Sequence, residues 1–192
     1  MERTGKGLRA AAIRPGPDGV GRGSSRSAER VSDDLRLDLS SVMRRRRWVA
    51  GLTLLASAAY GVVAAYQYGL LRHLPEPPWR GLDADRVDAS GEAYAVAHTP
   101  DTALALANAA ITLALVGMGP ADRAARQPWL PLLTAGKAAG DAAAGAWLFA
   151  EQVTKHRRLC GWCTLAAATA VAAVPLTVPE AYQAWRAVRR HS

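Results

Sequence analysis

Residues 159–178 read Leu-Cys-Gly-Trp-Cys-Thr-Leu-Ala-Ala-Ala-Thr-Ala-Val-Ala-Ala-Val-Pro-Leu-Thr-Val. No charge interrupts them, and as a helix they are long enough to span a hydrocarbon core of about 30 Å. The chain's only two cysteines, Cys160 and Cys163, stand at the head of this run, directly after the basic cluster Lys155, His156, Arg157 and Arg158. An i, i+3 spacing puts both sulfurs on one helix face, at a membrane–water boundary. A dithiol at that depth can exchange electrons with soluble thiols on one side and a lipid-soluble carrier on the other.

Three further stretches have the same character. Residues 48–71 and 102–119 are uncharged, and 129–150 is broken only by Lys137 and Asp141. The run at 48–71 follows Arg44 to Arg47, as in a signal peptide, but it is too long and ends without a small-x-small cleavage site. No internal repeat is evident. Four such runs predict an all-α integral membrane four-helix bundle, with a short interfacial segment on its outer side.

The charge is unevenly placed. The 192 residues carry a net charge of +8 at a mean hydropathy of −0.02. Residues 1–47 hold twelve Lys/Arg against six acids, with much Gly, Ser and Pro and no sustained apolar period. Residues 1–43 therefore read as a disordered basic N-terminus, with Met43 left open as an alternative start. Residues 44–185 form the four-span domain, and 179–192 an amphipathic tail carrying Tyr182 and Trp185. Arg44 to Arg47 place the N-terminus in the cytoplasm by the positive-inside rule, and four spans return the C-terminus there. The expected location is a cell membrane, crossed several times. The basic N-terminus, lacking aromatics and a recognition helix, sets topology and contacts membrane lipid; nucleic acid is not an expected partner. Thr99-Pro100-Asp101 reads as a helix start, Pro175 and Pro179 as a kink or stop, and residues 89–97 as one short interfacial helix.

The chemistry centres on the cysteines. A thiolate is favoured by a helix N-terminus and nearby cations, so Cys160 is expected to be the more nucleophilic and more exposed, and Cys163 to lie one turn deeper. Inert packing remains an alternative, as does half of a zinc site completed by His156, His73 or His98. Lys137 and Asp141, one turn apart at mid-span, either neutralise each other or offer Lys137 to a quinone carbonyl. Gly136 and Gly140 flank them in a GxxxG arrangement that allows close helix approach. Asn108, Gln67 and Tyr66 read as interhelical hydrogen-bonding residues, and Trp162 as a surface for a flat ring or an interface anchor.

The pattern Cys160-Gly161-Trp162-Cys163-Thr164 at the outer end of the last of four spans, its basic approach, and the passage from Val87-Asp88-Ala89-Ser90 to Thr99-Pro100-Asp101 resemble the vitamin K epoxide reductase family over about residues 44–185. The resemblance implies a CxxC pair that cycles between dithiol and disulfide while reducing a quinone, here menaquinone or ubiquinone. It implies a quinone-facing Cys163, a Cys160 that exchanges with an extracytoplasmic thioredoxin-like protein, a quinone contact at Asp101, and Ser90 as an outer-segment serine. The chain departs from the family where many members carry a second cysteine pair, since residues 72–101 have none, and where some carry a tyrosine, here Ala167. The expected function is membrane thiol–disulfide oxidoreduction supporting disulfide formation outside the cytoplasm. The alternative is a non-catalytic scaffold or partner-binding subunit, with a small-molecule carrier a distant third.

Overall fold

The computed structural model describes residues 25–191. Among them the fold is all-α: helices α1 (Arg26–Leu37), α2 (Ser41–Gln67), α3 (Ala84–Asp88), α4 (Asp101–Gly117), α5 (Arg123–Arg126), α6 (Trp129–Glu151) and α7 (Gly161–His191). A 3-10 turn, Gly91–Tyr94, follows α3, and a wider π-turn, Gln152–His156, extends α6. An isolated β-bridge joins Leu82 to Leu159.

Four helices make the body. α7 packs along α6 and α2, α2 along α4, and α4 touches α6 more lightly. The contacts are made by small residues, such as Ala56, Ala59 and Ala166 in one cluster and Val49, Val116 and Ala173 in another. At Gly145 a Cβ would sit 3.2 Å from Ala167 of α7, so glycine there sets the α6–α7 distance. The expected GxxxG pair does not act this way. Gly136 and Gly140 lie on the exposed side of α6 and face open space.

Two helices, Ser41–Gln67 and Gly161–Arg190, are long and apolar enough to cross a membrane, and α4 is apolar but shorter at 17 residues. Large apolar side chains point outward from all four body helices, among them Leu54, Ile111, Trp147 and Val171. Such a surface is costly in water and natural in lipid.

Three expectations are corrected. Residues 26–37 form helix α1 rather than a disordered tail; residues 1–24 lie outside the described residues. Ser25 caps α1 by accepting the Ala28 N–H, and Arg47 of α2 donates to the carbonyls of Leu35 and Asp34. Tertiary hydrogen bonds thus order a segment whose own apolar content is low. The tail beyond Pro179 is not a separate helix, because α7 runs unbroken through Pro175 and Pro179 to His191. Between the prolines the Thr177 hydroxyl donates to the Val174 carbonyl. The single helix expected at 89–97 is instead α3 and the 3-10 turn. Asp83 starts α3 early by accepting the Arg86 N–H.

At the end of the bundle away from the cysteines, two buried arginines cap α4. Arg46 of α2 donates to the carbonyls of Val116, Met118, Gly119 and Pro120. Arg123 of α5 donates to Leu115 and Met118 and forms a two-pronged ion pair with Glu180 of α7 at 2.8 and 3.0 Å. A helix end leaves four carbonyls without intrahelical donors, and here guanidinium groups supply them. Because Arg123 is fully buried, Arg123→Ala strands Glu180 and should destabilise the detergent-solubilised protein by about 3 kcal/mol or more. Thermal unfolding checks this, with Arg123→Lys losing nearly as much because it keeps the charge without the fork.

Candidate active site

Cys160 is the residue just before α7, and its Sγ accepts the Cys163 N–H at 3.2 Å. The sulfur therefore takes the place of an N-cap side chain. The Cys160 N–H donates to Gln152 Oε1 at 2.8 Å, and Gln152 is itself buried in the π-turn. Cys160 has no exposed surface, whereas Cys163 is partly open. This reverses the expected order of exposure. Leu74, Ala84 and Val87 of the outer segment pack over Cys160.

Glu76 holds that cover in place. One carboxylate oxygen accepts the Gly161 N–H, and the other accepts the Ala84 N–H at 2.7 Å. A Cβ at Gly161 would lie 2.9 Å from the Glu76 carboxylate, so a side chain at this position of the CxxC would push that carboxylate aside. The Leu159 N–H donates to the Gly81 carbonyl, the Asp83 N–H to the Leu159 carbonyl, and Trp162 Nε1 to the Pro75 carbonyl. Trp162 is thus a clamp on the outer segment.

Asp88, at the end of α3, is only 2% exposed. Its Oδ1 lies 3.4 Å from Cys163 Sγ, and its Oδ2 has no hydrogen-bond partner. Burial pushes its carboxyl up to about 6, against hydrogen bonds from Cys160 and Cys163 that pull it down, while Asp101 and Glu76 push it further up. The surroundings of the dithiol are therefore acidic, not cationic. Lys155 is tied to Glu151 and Glu92, His156 rests on Glu92, and Arg157 and Arg158 are exposed. Of the histidines weighed as zinc ligands, His73 pairs with Asp85 and His156 with Glu92. Asp88, Cys160 and Cys163 do bring an oxygen and two sulfurs within 4.8 Å of one another, one donor short of a structural zinc set.

Cys163 and Asp88 line a cavity of about 200 Å³ with Tyr60, Ser90, Asp101 and Ala167. A second cavity of about 310 Å³ continues it into the bundle, sharing Tyr60, Asp101, Ala105, Gly145, Leu148 and Ala167. Asp101 is exposed at the rim and accepts from Gln67 Nε2, while the Thr102 hydroxyl donates to Gln67 Oε1. Lys137 is not among the lining residues of either cavity. Its ammonium is engaged by Asn108 and both oxygens of Asp141, and Thr112 also donates to Asp141. Of the residues singled out from sequence, Cys163, Asp101 and Ser90 line this space, with Cys160 behind Cys163 and off the cavity wall; Lys137 and Trp162 serve packing and clamping positions.

A family model described as the vitamin K epoxide reductase family matches residues 47–178. The chain belongs to that family. The match takes in both cysteines, Asp88 and the four body helices up to Val178 of α7. Comparison with curated proteins and with solved structures finds no match. Membership makes this chain an oxidoreductase of a membrane-associated family, with the CxxC pair present. Residues that sequence reading left out are Glu76, Gln152 and Asp88. Asp88 carried a readable signal: with Ala84 and Val87 it falls at i, i+3 and i+4, an acid on an otherwise apolar face.

Two measurements follow from this geometry. Gly161→Ala should displace Glu76 and loosen the outer segment, so that maleimide labelling of Cys160, resolved by mass spectrometry, speeds up severalfold. An unchanged rate would mean that something other than the Glu76 contact covers the thiol. For Asp88, the folded carboxyl binds its proton more tightly than the ordinary value of 3.8, so its contribution to stability is full below about pH 4 and is lost as pH rises through about 6. The difference in thermal midpoint between the parent and Asp88→Asn should therefore move in favour of Asn across that window.

Proposed function

We propose that this chain is a multi-pass membrane thiol–disulfide oxidoreductase that couples the Cys160–Cys163 pair to reduction of a quinone, supporting disulfide formation in extracytoplasmic proteins. The observation that carries the reading is Cys163, adjacent to Cys160, on the wall of a cavity that runs on into an apolar interior.

The space suits such a molecule. Small residues, Ala105, Gly145 and Ala167, leave room for a flat ring beside Cys163, and the second cavity is walled mainly by Ala and Leu, as an isoprenoid tail requires. Tyr60 lines both cavities and brings a phenol that can donate to a carbonyl oxygen. When bound, a menaquinone or ubiquinone supplies a two-electron, two-proton acceptor. The chain's own part is then to hold Cys163 toward the cavity, to keep Cys160 at disulfide-forming distance one helical turn away, and to exclude water with the outer segment. The resulting disulfide is reduced by a thioredoxin-like protein on the outer side. Residues 72–101 contain no cysteine to relay electrons, so that protein reaches Cys160 directly.

The topology belongs to the same proposal. Outward apolar side chains on α2, α4, α6 and α7 support four crossings, the charges of α6 being satisfied internally by Asn108 and Thr112. Arg44 to Arg47 beside the start of the apolar run of α2 favour cytoplasmic termini. Residues 1–24 keep their proposed role as a basic cytoplasmic extension.

Thiol trapping of the purified protein in detergent, with and without menaquinone, tests the reading. Quinone should convert the dithiol to the Cys160–Cys163 disulfide, and Cys163→Ser should abolish the conversion. A pair that stays reduced at every quinone level would sink the catalytic reading and leave the scaffold.

A further inference from the structure

Oxidising the Cys160–Cys163 dithiol forms one S–S bond, breaks two S–H bonds and releases two electrons and two protons. A quinone becoming a quinol takes up both electrons and both protons. A thiol shielded from water ionises poorly without a base, because burial disfavours its charged form. The cavity wall must therefore offer a proton acceptor.

We propose that Asp88 is a catalytic residue of this cycle: its carboxylate receives the Cys163 proton as the disulfide forms and delivers it into the cavity. The inference rests on the redox function proposed above. Asp88 Oδ1 sits 3.4 Å from Cys163 Sγ, and Asp88 lines the same cavity. The second observation is the free oxygen. The neighbouring acids of the outer segment are anchored by backbone N–H groups: Asp85 by Leu74, Glu76 by Gly161 and Ala84, Asp83 by Arg86. Those are structural carboxylates. Asp88 has no backbone donor; only the thiols of the CxxC donate to it, and Oδ2 is buried with no partner. An unsatisfied buried oxygen is costly, and a purely structural role gives no reason to keep it.

The proton balance closes. Asp88 takes the first proton from Cys163 and passes it to the reduced quinone oxygen. The second proton, from Cys160, follows through the same carboxylate as the S–S bond closes. Asp88 ends as it began, and the quinol carries both protons. A carboxyl lifted by burial to about 6 both accepts and releases protons near neutral pH. The groups that face it are Cys163 from α7 and Cys160 just before it, Asp101 from α4, Tyr66 from α2 and Glu76 from the outer segment. Glu92, Glu151 and His156 stand on the same cavity wall.

The test uses the full chain in detergent, as parent, Asp88→Asn and Asp88→Glu. The first readout needs no quinone: the pH profile of iodoacetamide alkylation at Cys163 in the reduced protein, read by mass spectrometry. The parent should show an inflection near pH 6 that Asp88→Asn lacks and Asp88→Glu keeps at a shifted position. The second is reduction of a short-chain ubiquinone with dithiothreitol as donor at pH 7. Asp88→Asn should lower it by about a hundredfold, and Asp88→Glu should recover most of it. An Asn variant that retains the inflection, or reduces quinone at the parent rate, overturns the proposal. If the parent itself reduces no quinone, the proposed function fails while the alkylation profile still decides whether Asp88 titrates against the thiol. Should Asp88→Asn not fold, the Glu profile carries the decision: an inflection that does not move overturns the assignment.

Discussion

A single carboxylate fastens the outer segment to the helix that carries the cysteines. Glu76 spends one oxygen on the first N–H of α7 and the other on the first N–H of α3. Both are helix N-termini, with orphan donors and partial positive charge, so one anion joins two ends that would otherwise repel. Much else is arranged by that join. It seats Leu74, Ala84 and Val87 on Cys160, it fills the space where a side chain at position 161 would begin, and it turns α3 so that Asp88 meets Cys163. Burial of the first thiol and the carboxylate contact of the second are thus two results of one constraint.

The opposite end solves a different problem with the opposite charge. Beyond Gly117 the chain leaves α4 with carbonyls unpaired, and Arg46 and Arg123 bring guanidinium forks to them. Glu180 neutralises one fork and in doing so anchors α7 beyond its prolines. Polar groups in a water-poor setting must be satisfied internally. Cations at the C-terminal end of α4 and an anion at the N-terminal end of α7 do so in keeping with the direction of each helix dipole.

The bundle was legible where composition alone decides it. Uncharged runs gave α2, α4 and α6 to within a few residues, leaving aside the extra turns that carry α2 back to Ser41. The CxxC at the head of the last run located the site. What stayed hidden depends on contacts between distant segments. Arg46 reads as a topological charge, because nothing local distinguishes a guanidinium in solvent from one buried against carbonyls 70 or more residues away, and Arg123 is buried by its ion pair with Glu180, 57 residues on. Helix α1 was masked by its charge content and is held by Arg47 and by Asp34, which accepts the Ala121 N–H. The expected cationic surroundings of the thiols failed for a related reason. Lys155 and His156 are adjacent in sequence, yet acids at residues 92 and 151 claim them. Asp101 and the cysteines were found from the resemblance and the spacing; Asp88 entered only within the Val87-Asp88-Ala89-Ser90 passage, with no role given, and Glu76, whose two partners are 8 and 85 residues away, not at all.

The cover over Cys160 also bears on where electrons do not go. A dithiol with both sulfurs bare would equilibrate with any small thiol or peroxide that diffused past. Here Cys160 is sealed beneath Leu74, Ala84 and Val87 while Cys163 opens onto a cavity, so the two sulfurs of one pair are reached from different directions. Access to Cys160 requires that cover to lift, and its latch is only a few hydrogen bonds strong.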